Sequence, residues 1–487
     1  MSDITKSDNA HESKALDEEK RVKSTWFILD VDRKLIPLAE FNFGKQEGLK
    51  KFARYETEKV RAYSTEPPHI ALMRQHELVD YEPGSDRGNM RFYPNGRLVK
   101  SLLERYVTDS VIDYGAVELE TPIMYDYRHP ALSAYLNRFP ARHYTIKSDD
   151  KEYFLRFSAD FGQFLLVKDA TISYKSLPFK FYELTRYSFR REQSGEVVGL
   201  KRLRSFTMPD MHTLCSDMEQ AKGEFVKQFE LCKKTLADIG IPSEAYEMVI
   251  RFTVDFFNEN KDFILSFAER YGKPLLIEMW NFRYAYFDPK FEFNIIDNAG
   301  KAAALSTVQI DHENGERYGI TYTDSKGKKV YPILLHNSPS GAIERDIYAL
   351  LEIAYRNKSK GMVPSLPVWL SPTQVRVIPV ADRHMDRCME ISKLFRTENI
   401  RSDIDDTSNT IGKRVRAAEN DWVPYIIIVG DKETKSKTLP VRIRLEKKQI
   451  DMEPEQLIRR IKDETKRMPT GKLSVAELVS KRALFYS

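Results

Sequence analysis

The chain is expected to fold as a large α+β unit on a mixed, mainly antiparallel sheet, followed by a smaller α/β unit. Three observations lead there. Residues 151–212 and 278–345 carry alternating apolar patterns of strand type, as in Phe291-Glu-Phe-Asn-Ile-Ile. The stretch 216–274 between them is helical in character and meets no strong breaker before Gly240. After Pro364-Ser-Leu-Pro367 come five alternating segments: Gln374–Val380 (strand), Met385–Thr397 (helix), Ile400–Ile404 (strand), Thr410–Ala418 (helix) and Tyr425–Val429 (strand). That βαβαβ order builds a parallel sheet covered by helices.

The chain has 487 residues, too many for one core, so two or three domains are expected. Residues 1–24 are polar and charged and read as a flexible tail. Residues 25–64 read as a small N-terminal module, with a strand at Trp26–Asp32 and a charged helix at Glu47–Arg61. Pro67-Pro68-His69-Ile70 opens a further helix, Gly84–Gly96 reads as a loop, and Leu98–Ile112 has helical spacing. Val117-Glu-Leu-Glu-Thr-Pro122 reads as a strand running into a proline.

Composition narrows the class. Hydrophobic residues are 41% and charged residues 31%, as in a soluble globular protein. No apolar run approaches the roughly 18 residues that span a bilayer, and no secretory h-region is evident. The three cysteines are scattered, without a C-x-x-C pair. A disulfide framework or thiolate zinc site is therefore not expected, and a cytoplasmic location is. The net charge of +5 says little about nucleic acid, but Arg and Lys cluster at 186–204 and 411–416.

One stretch is more informative than the rest. Glu183-Leu-Thr-Arg-Tyr-Ser-Phe-Arg190-Arg-Glu192 is an apolar strand ending in charge, then a basic, Gly-containing loop, then Arg204-Ser-Phe206-Thr-Met-Pro-Asp210-Met-His212. Arg190 and Glu192 share a strand face. A guanidinium fork suits a phosphate, and a carboxylate accepts from a base amino group. The hairpin reads as an ATP site without a glycine-rich P-loop.

This hairpin resembles motif 2 of the class II aminoacyl-tRNA synthetases, and its Asp-Met-His ending resembles the threonyl family in its archaeal form. Leu335-His336-Asn-Ser-Pro-Ser-Gly341-Ala-Ile-Glu344-Arg345 resembles motif 3, and the helix–strand–proline order up to Pro122 resembles motif 1, the dimer interface of the class. The resemblance implies a catalytic domain at 65–364 and an anticodon-binding domain at 365–487. It implies Arg190 on the α-phosphate, Arg345 on the γ-phosphate, and Glu192 with Phe206 at the adenine. Glu292 and Gln309 fall at positions lining the ATP and amino-acid pocket, Glu292 as a candidate Mg²⁺ ligand and Gln309 with Asp210 for L-threonine.

Threonyl enzymes hold a catalytic zinc, one per subunit, on Cys, His and His. The matching positions here are Asp160, His212 and His336, so Asp stands where the family has Cys. Aspartate ligates zinc at about 2.0–2.2 Å, and a harder oxygen donor widens the choice of metal. A degenerate site without metal is the alternative. In the last domain, Glu433 and Arg442 match positions that read anticodon bases, and Gly412-Lys413-Arg414-Val-Arg416 opens a helix toward RNA phosphates. For Lys413 an ordinary exposed face is an equal reading.

The function so implied is ATP-dependent activation of L-threonine and its transfer to tRNA(Thr) by a homodimer. Archaeal members usually carry an N-terminal editing domain of over a hundred residues, which the resemblance does not cover here. A separate trans-editing protein is therefore expected to clear mischarged Ser-tRNA(Thr). Two alternatives stand beside this reading: a non-catalytic tRNA-binding or regulatory paralogue, and a synthetase for proline or serine.

Overall fold

The computed structural model describes residues 14–59, 63, 65–138, 142–193 and 195–485. The first part of the expected tail, residues 1–13, lies outside the described residues, and Lys14–Glu19 is a short helix. The chain divides into two compact units. The larger contains the residues up to Thr65, Gly84–Asn89 and Val107–Asp346. The smaller contains Glu66–Pro83, Met90–Tyr106 and the chain from Ile347 onward.

The larger unit is built on ten strands: β1 (Ser24–Leu29), β2 (Leu35–Pro37), β3 (Val117–Glu118), β4 (Phe179–Phe189), β5 (Ser205–Cys215), β6 (Tyr246–Thr253), β7 (Leu275–Trp280), β8 (Phe287–Ile296), β9 (Ala302–Asp311) and β10 (Ile333–Ser338). Their spatial order is β2-β1-β7-β6-β8-β9-β10-β5-β4-β3. Pairing is antiparallel except between β6 and β7 and between β4 and β3. The expected mixed, mainly antiparallel sheet is present.

Several local expectations differ. The segment 25–64 supplies two edge strands to the large sheet, β1 pairing directly with β7. The helical reading of 216–274 holds for Met218–Ile239 but not for β6, whose Met-Val-Ile-Arg-Phe-Thr run is β-branched and aromatic and sits between two other strands. The strand expected over 117–124 lasts two residues as β3, with a separate strand at Met124–Asp126. The loop expected over 84–96 contains a strand at Met90–Phe92. Residues 151–212 also hold the helix Asp160–Lys168.

Helix Met218–Ile239 is fixed at both ends. The Asp217 side chain accepts from the Gln220 amide at 2.8 Å, and Gly240 closes the helix at φ 97°. It buries Phe225, Phe229 and Leu236 and packs on β9 and β10. Beside the sheet, Phe154, Phe157, Phe161 and Phe164 form a dry aromatic cluster, each no more than 1% exposed. Burying such a side chain is worth about 1.5–3 kcal/mol. Helix Asp160–Lys168 approaches Thr121 and Tyr125 so closely that a Cβ on Gly162 would stand 2.1 Å from the Tyr125 hydroxyl.

The smaller unit contains the predicted βαβαβ order: β11 (Val375–Pro379), Met385–Thr397, β12 (Ser402–Ile404), Ile411–Asn420 and β13 (Tyr425–Val429). Strands β12, β11 and β13 are parallel. Two antiparallel strands, β14 (Leu439–Ile443) and β15 (Lys448–Met452), complete the sheet, and Pro454–Glu464 is the last long helix.

Candidate active site

Strand register assembles the centre. Across the sheet, Lys290 of β8 pairs with Gln309 of β9, Gln309 with His336 of β10, His336 with His212 of β5, and His212 with Phe181 of β4. Asp160, the first residue of its helix, meets this row from above the strands.

The three expected metal ligands converge. His212 Nε2 lies 2.9 Å from His336 Nδ1 and 3.4 Å from Asp160 Oδ1, and His336 Nδ1 lies 3.3 Å from Asp160 Oδ2. Three donors on a tetrahedral ion at about 2.05 Å would stand roughly 3.3 Å apart. The donor set and its spacing therefore fit a divalent metal.

The outer nitrogens are also tied. His212 Nδ1 is 2.5 Å from Gln163 Oε1, and His336 Nε2 is 2.8 Å from Asp311 Oδ2. Acceptors on those nitrogens leave Nε2 of His212 and Nδ1 of His336 as inward lone pairs in the neutral tautomers. Tyr135 and Ser158 donate hydroxyl hydrogen bonds to Asp160. Burial pulls the His336 pKa down, but Asp160 and Asp311 overcome it and raise it to about 10. Burial raises the Asp160 carboxyl, and the His336 and His212 imidazoles outweigh it and hold it well below the usual range. Phe164 stands edge-on to both histidines, and Phe181 stacks on His212.

Asp160 and His336 line a cavity of about 180 Å³ whose walls also carry Arg190, Glu192, Phe206, Asp210, Glu292, Gln309 and Arg345. Every residue expected at the ATP, threonine and metal sites reaches this cavity except His212, which is fully buried behind it. Asp210 accepts from the Ala159 amide at 2.9 Å, and the Ser158 hydroxyl oxygen lies 3.1 Å from it. Gln309 Oε1 is buried with no partner.

Two arginines make part of the cavity wall cationic. Arg190 lies over the Phe206 ring at 5.5 Å, and its Nε is buried without an acceptor. Arg345 is aimed by two backbone carbonyls, Lys201 at 2.9 Å and Ala304 at 3.0 Å. Burial pushes both guanidinium pKa values down, and for Arg345 the Arg190 charge pushes further. The turn before Arg345 needs Gly341: its φ is +82°, and a Cβ there would stand 2.6 Å from the Leu305 carbonyl oxygen.

Two carboxylates are engaged differently from their expected roles. Glu192 pairs with Arg202 at 2.8 Å. Glu292 pairs with Lys290 at 2.7 Å and with Arg251. Burial raises the Glu292 carboxyl, but Lys290 and Arg251 hold it far below the usual range. Arg251 also binds Glu56 at 2.5 Å and Glu278 at 2.7 Å.

The residues missed by sequence reading are Asp311, Gln163, Tyr135 and Ser158. Asp311 had a signal, since it follows Gln309 by two positions on one strand face. Tyr135 had none, because its link to Asp160 spans 25 residues.

In the smaller unit, Arg442 on β14 is exposed and pairs with Glu419 at 2.7 Å, and Arg416 is exposed one turn earlier on the Glu419 helix. Glu433 accepts from the Gly430 amide at 2.9 Å and so caps its own short helix. Arg414, part of the basic motif expected at phosphates, turns inward and donates to the Asp405 carbonyl at 3.0 Å.

Comparisons with known proteins agree with this architecture. The family described as "tRNA synthetase class II core domain (G, H, P, S and T)" matches residues 144–354, and "Anticodon binding domain" matches 374–464. The threonine–tRNA ligase of Thermococcus kodakarensis is 56% identical over 468 residues, covering 96% of this chain and 75% of its own. This chain belongs to the threonine–tRNA ligase family. The threonine–tRNA ligases of Pyrococcus furiosus and Methanosarcina mazei are 55% and 53% identical, again with 75% of their length covered. The RNA binding domain of threonyl-tRNA synthetase from Cryptosporidium parvum superposes with a TM-score of 0.70 at 19% identity, covering 84% of this chain and 99% of that one. Prolyl-tRNA synthetase from Giardia lamblia, in complex with prolyl-adenylate, gives 0.64 at 17%, covering 81% and 77%. These two share the fold. As a threonine–tRNA ligase of class II, the chain works with ATP and Mg²⁺, and a non-catalytic paralogue is not favoured at this level of identity. Among the described residues, no helix is long and apolar enough to cross a membrane.

Proposed function

We propose that this cavity joins L-threonine to AMP and passes the threonyl group to the 3′ end of tRNA(Thr), with Asp160, His212 and His336 reading the amino acid. The observation that carries this is that the three donors converge beside a cavity whose wall also holds Arg190 and Arg345.

Zinc is the metal favoured by two imidazoles and a carboxylate in tetrahedral spacing. When bound, it supplies Lewis-acid positions for the amino and hydroxyl groups of threonine. Asp210 accepts from the substrate ammonium, and the orphaned Gln309 Oε1 is a second acceptor beside it. A pocket of threonine shape rejects valine weakly by packing alone, so the hydroxyl must be read by polar groups. Serine presents the same amine and hydroxyl. The lost methyl is worth only about 1–3 kcal/mol, so serine is activated as a side reaction.

For ATP, Phe206 offers a flat face, Glu192 an acceptor for the adenine amino group once released from Arg202, and Arg190 a fork for the α-phosphate. Arg345 neutralises the γ-phosphate. The threonine carboxylate attacks the α-phosphate in line, and pyrophosphate leaves toward Arg345. Positioning and charge carry the step, so no general base is needed. Glu292, once released from Lys290 and Arg251, would help to hold Mg²⁺, which would supply positive charge to the phosphates.

In the smaller unit, Glu433 and Arg442 read anticodon bases, and Arg416 meets the anticodon loop through its phosphates. Exposed Val117, Ile123 and Met124, beside the terminal strand β3, suit the face of a homodimer. Metal analysis of purified protein tests the central element. One zinc per chain in the wild type, lost in Asp160→Ala, supports the assignment, and unchanged zinc in that variant contradicts it.

A further inference from the structure

The smaller unit holds a second cavity, of about 250 Å³, that none of the roles above uses. It lies between Trp369–Gln374, the turn Glu398–Arg401, and the segment from Ile461 to Thr470. Arg401 forms part of its wall and is only 2% exposed. Its Nε donates to the Ser371 carbonyl at 3.0 Å and its Nη2 to the Trp369 carbonyl at 2.7 Å. Nη1 has no acceptor, and no carboxylate pairs with this guanidinium, among the described residues.

An unpaired buried cation is costly, and natural structures pair it. Burial alone pushes the Arg401 pKa down to about 10. Trp369, on the same wall, is also buried, and its indole Nε1 has no acceptor. Both orphaned groups are donors, and no lining residue leaves a buried acceptor unmet. The ligand that completes such a site carries acceptors and negative charge. At the rim, Lys462 is shared with Glu398, and Arg105 reaches the Thr470 carbonyl at 3.2 Å. Donors on separate residues need several acceptor oxygens, which a phosphate offers and a single carboxylate does less well.

We propose that this cavity binds a phosphate group, anchored by Arg401 and Trp369. Free phosphate and a phosphate of an RNA backbone share this chemistry. The test is calorimetric titration of the full chain with inorganic phosphate, together with thermal unfolding. Wild type is compared with Thr470→Glu, which sets a carboxylate at the rim, and Arg401→Met, which removes the cation. The expected result is a phosphate affinity lowered at least about tenfold in each variant. Arg401→Met is also expected to raise Tm in phosphate-free buffer. A Thr470→Glu variant that also binds tRNA(Thr) more weakly assigns the phosphate to RNA, and unchanged tRNA affinity assigns it to the free ion. No phosphate binding in wild type, or equal binding in wild type and Thr470→Glu, overturns the proposal even if Arg401→Met fails to fold.

Discussion

His212 and His336 face each other as direct cross-strand neighbours on β5 and β10, with Nε2 and Nδ1 2.9 Å apart. The sheet register alone brings two residues 124 positions apart to one point. Their rings are aimed by buried neighbours: Asp311 holds His336 and Gln163 holds His212.

Asp311→Asn removes the carboxylate that accepts from His336 Nε2. Metal affinity is expected to fall about 10–100-fold, as for other supporting carboxylates. ATP affinity should not move. Equilibrium dialysis with zinc checks this, and an unchanged dissociation constant would rule out the orienting role.

Arg345→Ala removes the guanidinium that two backbone carbonyls aim into the cavity wall and that is proposed to face the departing pyrophosphate. The rate of adenylate formation is expected to drop about 10²–10³-fold, the usual loss for one preorganised donor. Binding of tRNA(Thr), measured by filter retention, should stay within about twofold. Equal losses in both would mean that the substitution disturbs the fold.

Glu183 of β4 is buried against Arg156 at 2.6 Å, with Thr121 bonded to both. Glu183→Ala strands that guanidinium and is expected to cost about 3–5 kcal/mol in urea unfolding. A loss under about 1 kcal/mol would be the behaviour of an exposed pair and would contradict its structural weight.

His76 packs against Trp422 at 4.0 Å, and burial pushes its pKa down to about 4, with Asp421 partly opposing. The folded value lies below the ordinary unfolded value near 6.5. Between the two the unfolded chain binds a proton that the folded chain does not. Stability therefore falls as pH drops from about 6.5 to about 4, by up to about 3 kcal/mol. Denaturation of His76→Phe over this range should show a shallower fall, and an identical slope would remove His76 as the cause.

The parts of this site legible in the sequence are those whose meaning is local. Arg190 and Glu192 on one strand face, and Gly341 four residues before Arg345, keep their geometry wherever the chain goes. Asp160 is legible as a candidate ligand only through the resemblance, since its partners lie far away in sequence. The ties among charged side chains were not legible. Arg202 claims Glu192, Arg251 claims Glu292, and Glu433 caps its own helix because tertiary neighbours compete for the same carboxylates. Strand β6 was hidden for a related reason: buried on both flanks by β7 and β8, it shows no polar alternation to set it apart from the helices around it.

The central claim is that Asp160, His212 and His336 let the site read a hydroxyl group. ATP–pyrophosphate exchange with threonine, serine and valine, on metal-loaded and on chelator-treated protein, tests it most directly. Strong exchange with threonine, weaker exchange with serine and none with valine are expected, all of it lost on metal removal and restored by zinc. Exchange with threonine that survives complete metal removal, or valine activated as well as serine, would contradict it.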